Sequence, residues 1–299
     1  MTNPLFLAGP TAVGKSDIAL ALAAKIGGEI ISVDSMQVYR GLDIGTAKPD
    51  AATQKQVPHH LIDVCELTET FDAAKFVELA NQAVAEIRSR AKTPIFCGGT
   101  GLYFKAFLDG LGDAPPADAK LRAELEAAPL AQLLEELRER DPNAYEKMDR
   151  QNPRRVIRAL EIIRTTGKPL ATAQADWARA TNHASRTALT FFVRSTGNLR
   201  QRIDSRVDQM FQRGLVDETR ELLKQGLAEN RTAMQAIGYR QAVEHLRGER
   251  SLAETIELVK IRTRQFAKRQ STWFRRHALC KKVELKPEET VDEIVARFD

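Results

Sequence analysis

The chain has 299 residues, 43% of them apolar, and a net charge of +5. That is enough for a substantial core in one large domain or a domain with an insert. No apolar run reaches the roughly 18 residues of a membrane span, the start MTNPLFLAGP lacks the pattern of a signal peptide, and Cys65, Cys97 and Cys280 are too scattered for a disulfide framework or a zinc finger.

A reduced, cytoplasmic protein is therefore expected. The charge is unevenly spread. Residues 1–150 hold 16 Lys/Arg against 22 Asp/Glu, and residues 151–299 hold 29 against 18. A basic second half suits a polyanionic partner, although an Arg-rich helical surface would give the same balance.

In chain order, Leu5–Ala8 (LFLA) predicts a buried strand. Gly9 to Ser16 then fit G-x-x-x-x-G-K-[ST], and Lys15–Ile26 reads as a helix. Glu29–Val33 (EIISV) is a second buried strand, ending at Asp34. Phe71–Arg90 has helical spacing, and Pro94–Cys97 (PIFC) is a third strand, followed by Gly98-Gly99-Thr100-Gly101. Strands alternating with helices imply α/β architecture, with a parallel sheet that carries its ligands at the carboxyl edge. Near Asp113–Pro116 the pattern changes. Asp118–Ala127, Leu130–Arg140 and Pro153–Thr165 read as helices, and Leu189–Val193 (LTFFV) returns a strand. Residues 1–114 and 187–299 are thus expected to form a P-loop-type core with flanking helices, and 115–186 a helical insertion domain. The end of the chain reads as helical, with a long helix over about Leu252–His277 and a short strand near Lys282–Leu285.

The phosphate-loop motif follows a strand and opens a helix, which is the context it requires. Backbone amides of Gly9, Pro10, Thr11, Ala12, Val13, Gly14, Lys15 and Ser16 (proline supplying only its shape) would surround a phosphate chain. The helix N-terminus adds favourable charge, Lys15 reaches the phosphates, and the Ser16 hydroxyl is the candidate Mg²⁺ ligand. The motif specifies phosphate and leaves the nucleotide open. An ordinary ATPase is disfavoured: PIFC ends in GGTG with no metal-holding acid, the acid lies instead at Asp34, and no base-specificity motif is evident.

The chain resembles the tRNA dimethylallyltransferases, of bacterial type. The resemblance rests on Gly9–Ser16, on Ser32–Tyr39 (SVDSMQVY), on Gly45–Pro49 (GTAKP) and on Gly98–Tyr103 (GGTGLY). It continues through Ile237–Gln241 (IGYRQ) and Ala267–Arg275 (AKRQSTWFR). Ser271 departs from the pattern, standing where an apolar residue is expected. The resemblance implies transfer of a dimethylallyl group from dimethylallyl diphosphate to N6 of the adenosine 3′ to the anticodon, by a monomer that uses Mg²⁺. Lys15, Asp34 and Thr100 are then the catalytic candidates. Asp34 takes the role of base, although a metal-water ligand or a helix cap is also open to it. Thr100 lines the channel, caps a helix, or does both. Arg202 and Arg206, four apart on one helix face, are the further diphosphate candidates, with surface ion pairs as the alternative.

For tRNA contact the resemblance points to Asp34, Ser35, Met36, Gln37 and Thr100 around the extruded adenine. In the insert, which closes over the anticodon arm in this family, it points to Arg122, Arg154, Arg155, Val156, Ile157 and Arg158. It adds Gln235, Ala236, Ile237, Gly238, Tyr239 and Arg240, and finally Lys268, Arg269, Gln270, Ser271, Thr272, Trp273, Phe274 and Arg275. On the long helix Val259, Phe266 and Trp273 recur every seven residues as a packing stripe. Lys260, Arg264, Lys268 and Arg275 fall on another face, suited to phosphates. Trp273 reads as core rather than as a base-stacking plate. Three rival functions share the phosphate loop: a small-molecule kinase, a prenyltransferase acting on free adenylate, and a non-enzymatic RNA-binding switch. None of them accounts for the basic C-terminal half together with Asp34 and GGTG.

Overall fold

The computed structural model describes residues 3–110, 118–173, 189–276 and 280–298. Six parallel strands form one sheet: β1 (Leu5–Ala8), β2 (Gly28–Val33), β3 (His59–His60), β4 (Thr93–Gly98), β5 (Leu189–Val193) and β6 (Cys280–Glu284), in the order β3-β2-β4-β1-β5-β6. In the centre Leu5 lies opposite Ile95 and Phe6 opposite Phe96. Side chains alternate across the sheet, so each strand feeds two cores. One face gathers Leu7, Ile30, Ile95 and Phe192 against Ile18 and Leu22 of α1 (Lys15–Ile26) and against Ile294 and Val295 near the chain end. Phe6, Phe96 and Phe191 point the other way. Phe6 stacks on Phe96 at 4.8 Å between centroids, and Phe191 stacks on Phe274 at 5.3 Å.

The helices start where side chains can satisfy their first amides. Asp72 caps α3 (Ala73–Ser89), accepting from the amides of Ala74 and Lys75. Ser195 caps the helix that follows β5, and Ser251 forms a capping box with Glu254 at the start of the long C-terminal helix. α2 is Ala51–Gln56 and α4 is Gly101–Asp109.

The chain divides into two compact units, Met1–Phe107 with Arg186–Asp299, and Leu108–Ser185. The first boundary falls within α4, upstream of the one expected at 114. The composition break at Asp113–Pro116, the stretch around 187 and the end of the long helix at His277 lie outside the described residues. In the smaller unit α5 (Ala119–Ala127), α6 (Leu130–Arg140), α7 (Pro142–Lys147) and α8 (Pro153–Thr166) enclose Leu125, Leu133, Leu137, Val156, Leu160 and Ile163. Asp141 joins two of its segments: Oδ1 accepts the amide of Ala144 and Oδ2 that of Leu170.

The larger unit continues with α9 (Thr196–Gln212), α10 (Leu215–Lys224), α11 (Tyr239–Leu246), α12 (Leu252–Arg275) and α13 (Val291–Val295). The buried side of α12 is Thr255, Val259, Ala267, Gln270 and Phe274, which corrects the expected stripe. Phe266 is exposed, with the Arg269 guanidinium 5.8 Å from its ring centre. Trp273 is half-buried, its indole lying over Gly101. Among the described residues, no helix is long and apolar enough to cross a membrane.

Candidate active site

The phosphate loop leaves β1 at Ala8 and enters α1 at Lys15. Gly14 turns it with φ 105°, a conformation that side chains with a Cβ resist. Ala12 adopts the same left-handed region at φ 63°, a costly choice for a non-glycine residue, so contacts from outside must hold the loop. Three do so. The Nε of Arg202 donates to the carbonyl of Ala12 at 2.8 Å, and the Nε of Arg194 donates to that of Val13 at 2.8 Å. From α12, Gln270 Oε1 accepts the Thr11 amide at 2.9 Å.

A cavity of about 550 Å³ opens at the N-terminus of α1. The loop and helix contribute Ala12, Gly14, Lys15, Ser16 and Asp17. α9 contributes Asn198, Gln201, Arg202, Ser205, Arg206 and Gln209, and Ala47 closes one side. Arg202 and Arg206 thus both face the cavity rather than forming surface ion pairs. Of the loop residues expected around phosphate, Gly9, Pro10, Thr11 and Val13 form its back and do not line the cavity.

The electrostatics suit an anion. Burial pushes the Lys15 ammonium below the ordinary lysine value, and does the same to the Arg206 guanidinium. The Nε of Arg206 is buried and, among the described residues, has no hydrogen-bond partner. The Asp34 carboxylate acts on both cations in the opposite sense, which puts it within electrostatic reach although it does not line the cavity. Cys97 lies beneath the loop with its thiol pushed up to about 11 by burial, so it is no nucleophile.

Asp34 stands at the carboxyl end of β2 and shapes the turn after it. Its Oδ1 accepts the amides of Met36 at 2.8 Å and Gln37 at 3.3 Å. Thr100 follows the glycines that end β4. Its Oγ1 accepts the Ser35 amide at 3.2 Å, and its carbonyl accepts the amides of Tyr103 and Phe104 at the start of α4. Asp34 and Thr100 are therefore joined through one turn. Gln37 is committed elsewhere. Its Oε1 accepts the Ser32 hydroxyl at 2.8 Å, and its Nε2 donates to the carbonyls of Thr46 and Ala47. That leaves Ser35 and Met36, both half-buried, as the open members of the expected adenine set.

The segment 39–48, which ends on Ala47 and Lys48, is itself anchored. Lys48 is buried, donating to the Tyr39 carbonyl and pairing with Asp43 and Asp63, both at 2.5 Å. The amide of Ile44 donates to Glu218, and the Tyr239 hydroxyl donates to Glu218 at 2.5 Å while accepting the Gly45 amide at 3.0 Å. Tyr239 is fully buried, as are Ala236 and Gly238, so their side chains do not present an RNA surface. Gln235 and Arg240 of that stretch are exposed, and Ile237 is half-buried.

Other expected RNA contacts narrow in the same way. Val156 is fully buried in the core of the smaller unit, and Ile157 packs on that core. Arg122 forms a two-bond pair with the buried Glu161, at 2.6 and 2.7 Å, and Arg158 donates to the same carboxylate. Arg154 and Arg155 remain exposed on α8. On α12, Lys260 pairs with Asp208, and Arg264 with Asp204, both from α9. Gln270 and Phe274 are buried. Lys268, Arg269, Thr272 and Arg275 are exposed, Ser271 is half-buried, and none of the three cations has an ion-pair partner among the described residues.

Sequence reasoning missed Arg194, the polar face of α9 and the Glu218–Tyr239 anchor. Two signals were present. Arg194 directly follows β5, the carboxyl edge where parallel sheets hold ligands. Gln201, Arg202, Ser205, Arg206 and Gln209 share one helical face, so the arginine pair could have been extended along it.

The IPP transferase family model matches residues 37–277. The chain is 48% identical to tRNA dimethylallyltransferase 1 of Trichlorobacter lovleyi, over 91% of this chain and 90% of that protein. It is 44% identical to tRNA dimethylallyltransferase of Geobacter metallireducens, over 92% and 90%. Two crystal structures are similar throughout this chain. One is the full-length tRNA isopentenylpyrophosphate transferase of Bacillus halodurans, with TM-score 0.72 and 38% identity, of which 96% is covered. The other is a eukaryotic dimethylallyltransferase acting on tRNA, with TM-score 0.83 and 28% identity, of which 77% is covered. The family model covers well over half of the chain and the curated relatives about nine-tenths of it, so the chain belongs to the IPP transferase family of enzymes.

Proposed function

We propose that the protein transfers a dimethylallyl group from dimethylallyl diphosphate to N6 of the adenosine just 3′ of the anticodon in tRNA, releasing pyrophosphate. The observation that carries this reading is the pair of cations depressed by burial, Lys15 and Arg206, facing one cavity at a helix N-terminus. A diphosphate bound there supplies the counter-charge that burial makes valuable.

In the reaction the bond between the donor's C1 and the diphosphate oxygen breaks, and its electron pair leaves with pyrophosphate. The N6 lone pair forms the new bond to C1, and the amine loses a proton. Lys15, Arg202, Arg206 and the amides before α1 stabilise the charge that grows on the leaving group. Asp34 receives the proton. Its Oδ1 is engaged by the turn, which fixes the carboxylate and leaves Oδ2 for the amine. Thr100 holds that turn beside the glycine loop.

The donor set fits Mg²⁺. Ser16 presents a hydroxyl at the cavity rim, and a hydroxyl with diphosphate oxygens and water is the hard-oxygen environment this ion takes. Bound there, the ion would neutralise part of the leaving group's charge. Among the described residues no cluster of three or more His, Cys, Asp or Glu side chains could hold a metal by itself.

The tRNA is gripped through phosphates by exposed cations, Lys268, Arg269 and Arg275 on α12 and Arg154 and Arg155 on α8. The adenine must leave its stack to reach the site. The enzyme is read here as a cytoplasmic monomer acting on tRNA. The test is incubation with unmodified anticodon stem-loop RNA, dimethylallyl diphosphate and Mg²⁺. A mass gain of one prenyl group on the RNA is expected. Modification of free AMP with the RNA left unchanged would overturn the reading.

A further inference from the structure

Gln270 lies in the middle of the basic stretch of α12 but faces away from solvent, at 8% exposure. Both ends of its amide are used. Oε1 accepts the amide of Thr11 at 2.9 Å, and Nε2 donates to the carbonyl of Gly99 at 3.0 Å. The two partners, one a donor and one an acceptor, fix which way the amide points. Gly99 must be bare for this contact, because a Cβ there would stand 2.2 Å from Nε2. One turn earlier on the same face, Ala267 packs against Ala12 and Ile203. The same helix therefore touches the phosphate loop, the glycine loop after β4, and α9 with its cavity arginines.

The phosphate loop is pinned residue by residue: at the Thr11 amide by Gln270, at the Ala12 carbonyl by Arg202, and at the Val13 carbonyl by Arg194. Gln270 is the pin nearest the left-handed kink at Ala12 on the β1 side. Its other bond reaches the glycine loop after β4, whereas Arg194 reaches the Lys286 carbonyl after β6.

We propose that Gln270 is a positioning residue of the phosphate loop and not a contact to RNA, a proposal that rests on the diphosphate reading of the cavity. It holds Thr11 against the glycine loop, and so sets the kink that presents Gly14, Lys15 and Ser16 to the ligand. One side of α12 is then committed to the diphosphate site while Lys268, Arg269 and Arg275 occupy its exposed side.

Gln270→Met keeps the length and volume of the side chain and removes both hydrogen bonds. Binding of inorganic pyrophosphate with Mg²⁺ is measured by calorimetry. Binding of the anticodon stem-loop RNA is measured at two salt concentrations. The expected result is a fall in pyrophosphate affinity of about 10- to 100-fold, the scale of one or two buried hydrogen bonds, with RNA affinity and its salt slope unchanged. Gln270→Glu supplies a second readout. A protonated carboxyl can donate to Gly99 and still accept from Thr11, so this variant should regain pyrophosphate affinity relative to wild type as pH falls, while Gln270→Met should not.

Pyrophosphate affinity equal to wild type in Gln270→Met, or RNA affinity falling in step with it, would overturn the proposal. Failure of the wild-type protein to bind pyrophosphate at all would remove the diphosphate reading beneath it. If Gln270→Met does not fold, the pH response of Gln270→Glu decides alone: no relative recovery at low pH refutes the assignment.

Discussion

Arg206 is buried at a cost, and that makes its removal informative. Its Nε is buried without a partner among the described residues, and Lys15 and Arg202 share the same cavity. An unsatisfied buried donor costs about 1–3 kcal/mol. Arg206→Met keeps most of the aliphatic stem that packs in α9 and deletes the donor and its charge. The free variant should therefore be more stable than wild type by about 1–2 kcal/mol. With an unfolding entropy of about 2.1 cal/mol/K per residue, a chain of this size shifts by about 2 °C per kcal/mol, so Tm should rise by about 2–4 °C. Binding should move the opposite way. A charge-assisted hydrogen bond to phosphate is worth about 1.5–3 kcal/mol, which weakens pyrophosphate about 10- to 150-fold. At a concentration of 100 times the wild-type Kd, ligand stabilises wild type by about 2.7 kcal/mol. The variant, at the middle of that range, keeps only about 0.7 kcal/mol. Thermal melts with and without Mg²⁺-pyrophosphate read both effects. A variant that melts below wild type when free, yet keeps the full ligand-induced rise, would refute the reasoning and make Arg206 a structural residue.

Asp34→Asn keeps an oxygen to cap the Met36 turn and removes the base, so kcat should fall by about 10²- to 10⁴-fold with RNA affinity within about twofold; rapid-quench single-turnover assays and filter binding separate the two. Tyr239→Phe leaves the Gly45 amide and one bond to Glu218 unmet in a buried place. It should lower stability by about 2–4 kcal/mol, followed by thermal melts, without changing the salt slope of RNA binding; a shallower slope would return Tyr239 to the RNA surface. Glu29 is buried at the end of β2 remote from Asp34, and the Arg90 guanidinium, followed by the His60 ring, holds its carboxyl below the ordinary glutamate value. A depressed folded-state pKa contributes stability that is present above the unfolded value and lost as pH falls through the folded one. Glu29→Gln should therefore be less stable than wild type at pH 7, and the gap should close as pH drops below the ordinary carboxylate range; a gap that stays constant down to acid unfolding would count against the pairing.

Much of the architecture was legible from local pattern alone. The strands Leu5–Ala8 and Leu189–Val193 and the helix Lys15–Ile26 lie where the apolar runs and the phosphate-loop motif place them. The cavity arginines were legible as a pair four residues apart. The long C-terminal helix was misread for a geometric reason. A seven-residue stripe drifts about 20° per repeat on a straight helix, and α12 lies along α9 over only part of its length. Around Gln270 it faces loop backbone at Thr11 and Gly99, whose amide and carbonyl a glutamine can meet and a phenylalanine cannot. Phe266 therefore turns outward. Lys260 and Arg264 read as open cations because their partners, Asp208 and Asp204, lie on a helix that only the fold brings alongside. A motif match at Tyr239 or Gln270 marks a position that matters without saying what it touches. Distance in sequence hid both partners.

The pins of the phosphate loop have a bearing on how the protein is made. Arg194, Arg202 and Gln270 all come from beyond the fourth strand, up to 259 positions after the loop they hold. A ribosome that has released only the first four strands has delivered the motif but none of its holders. The entropy of closing so long a segment has to be overcome before the kink at Ala12 is secured. The shape of the phosphate loop is thus secured when the C-terminal helix docks, and not by the motif itself.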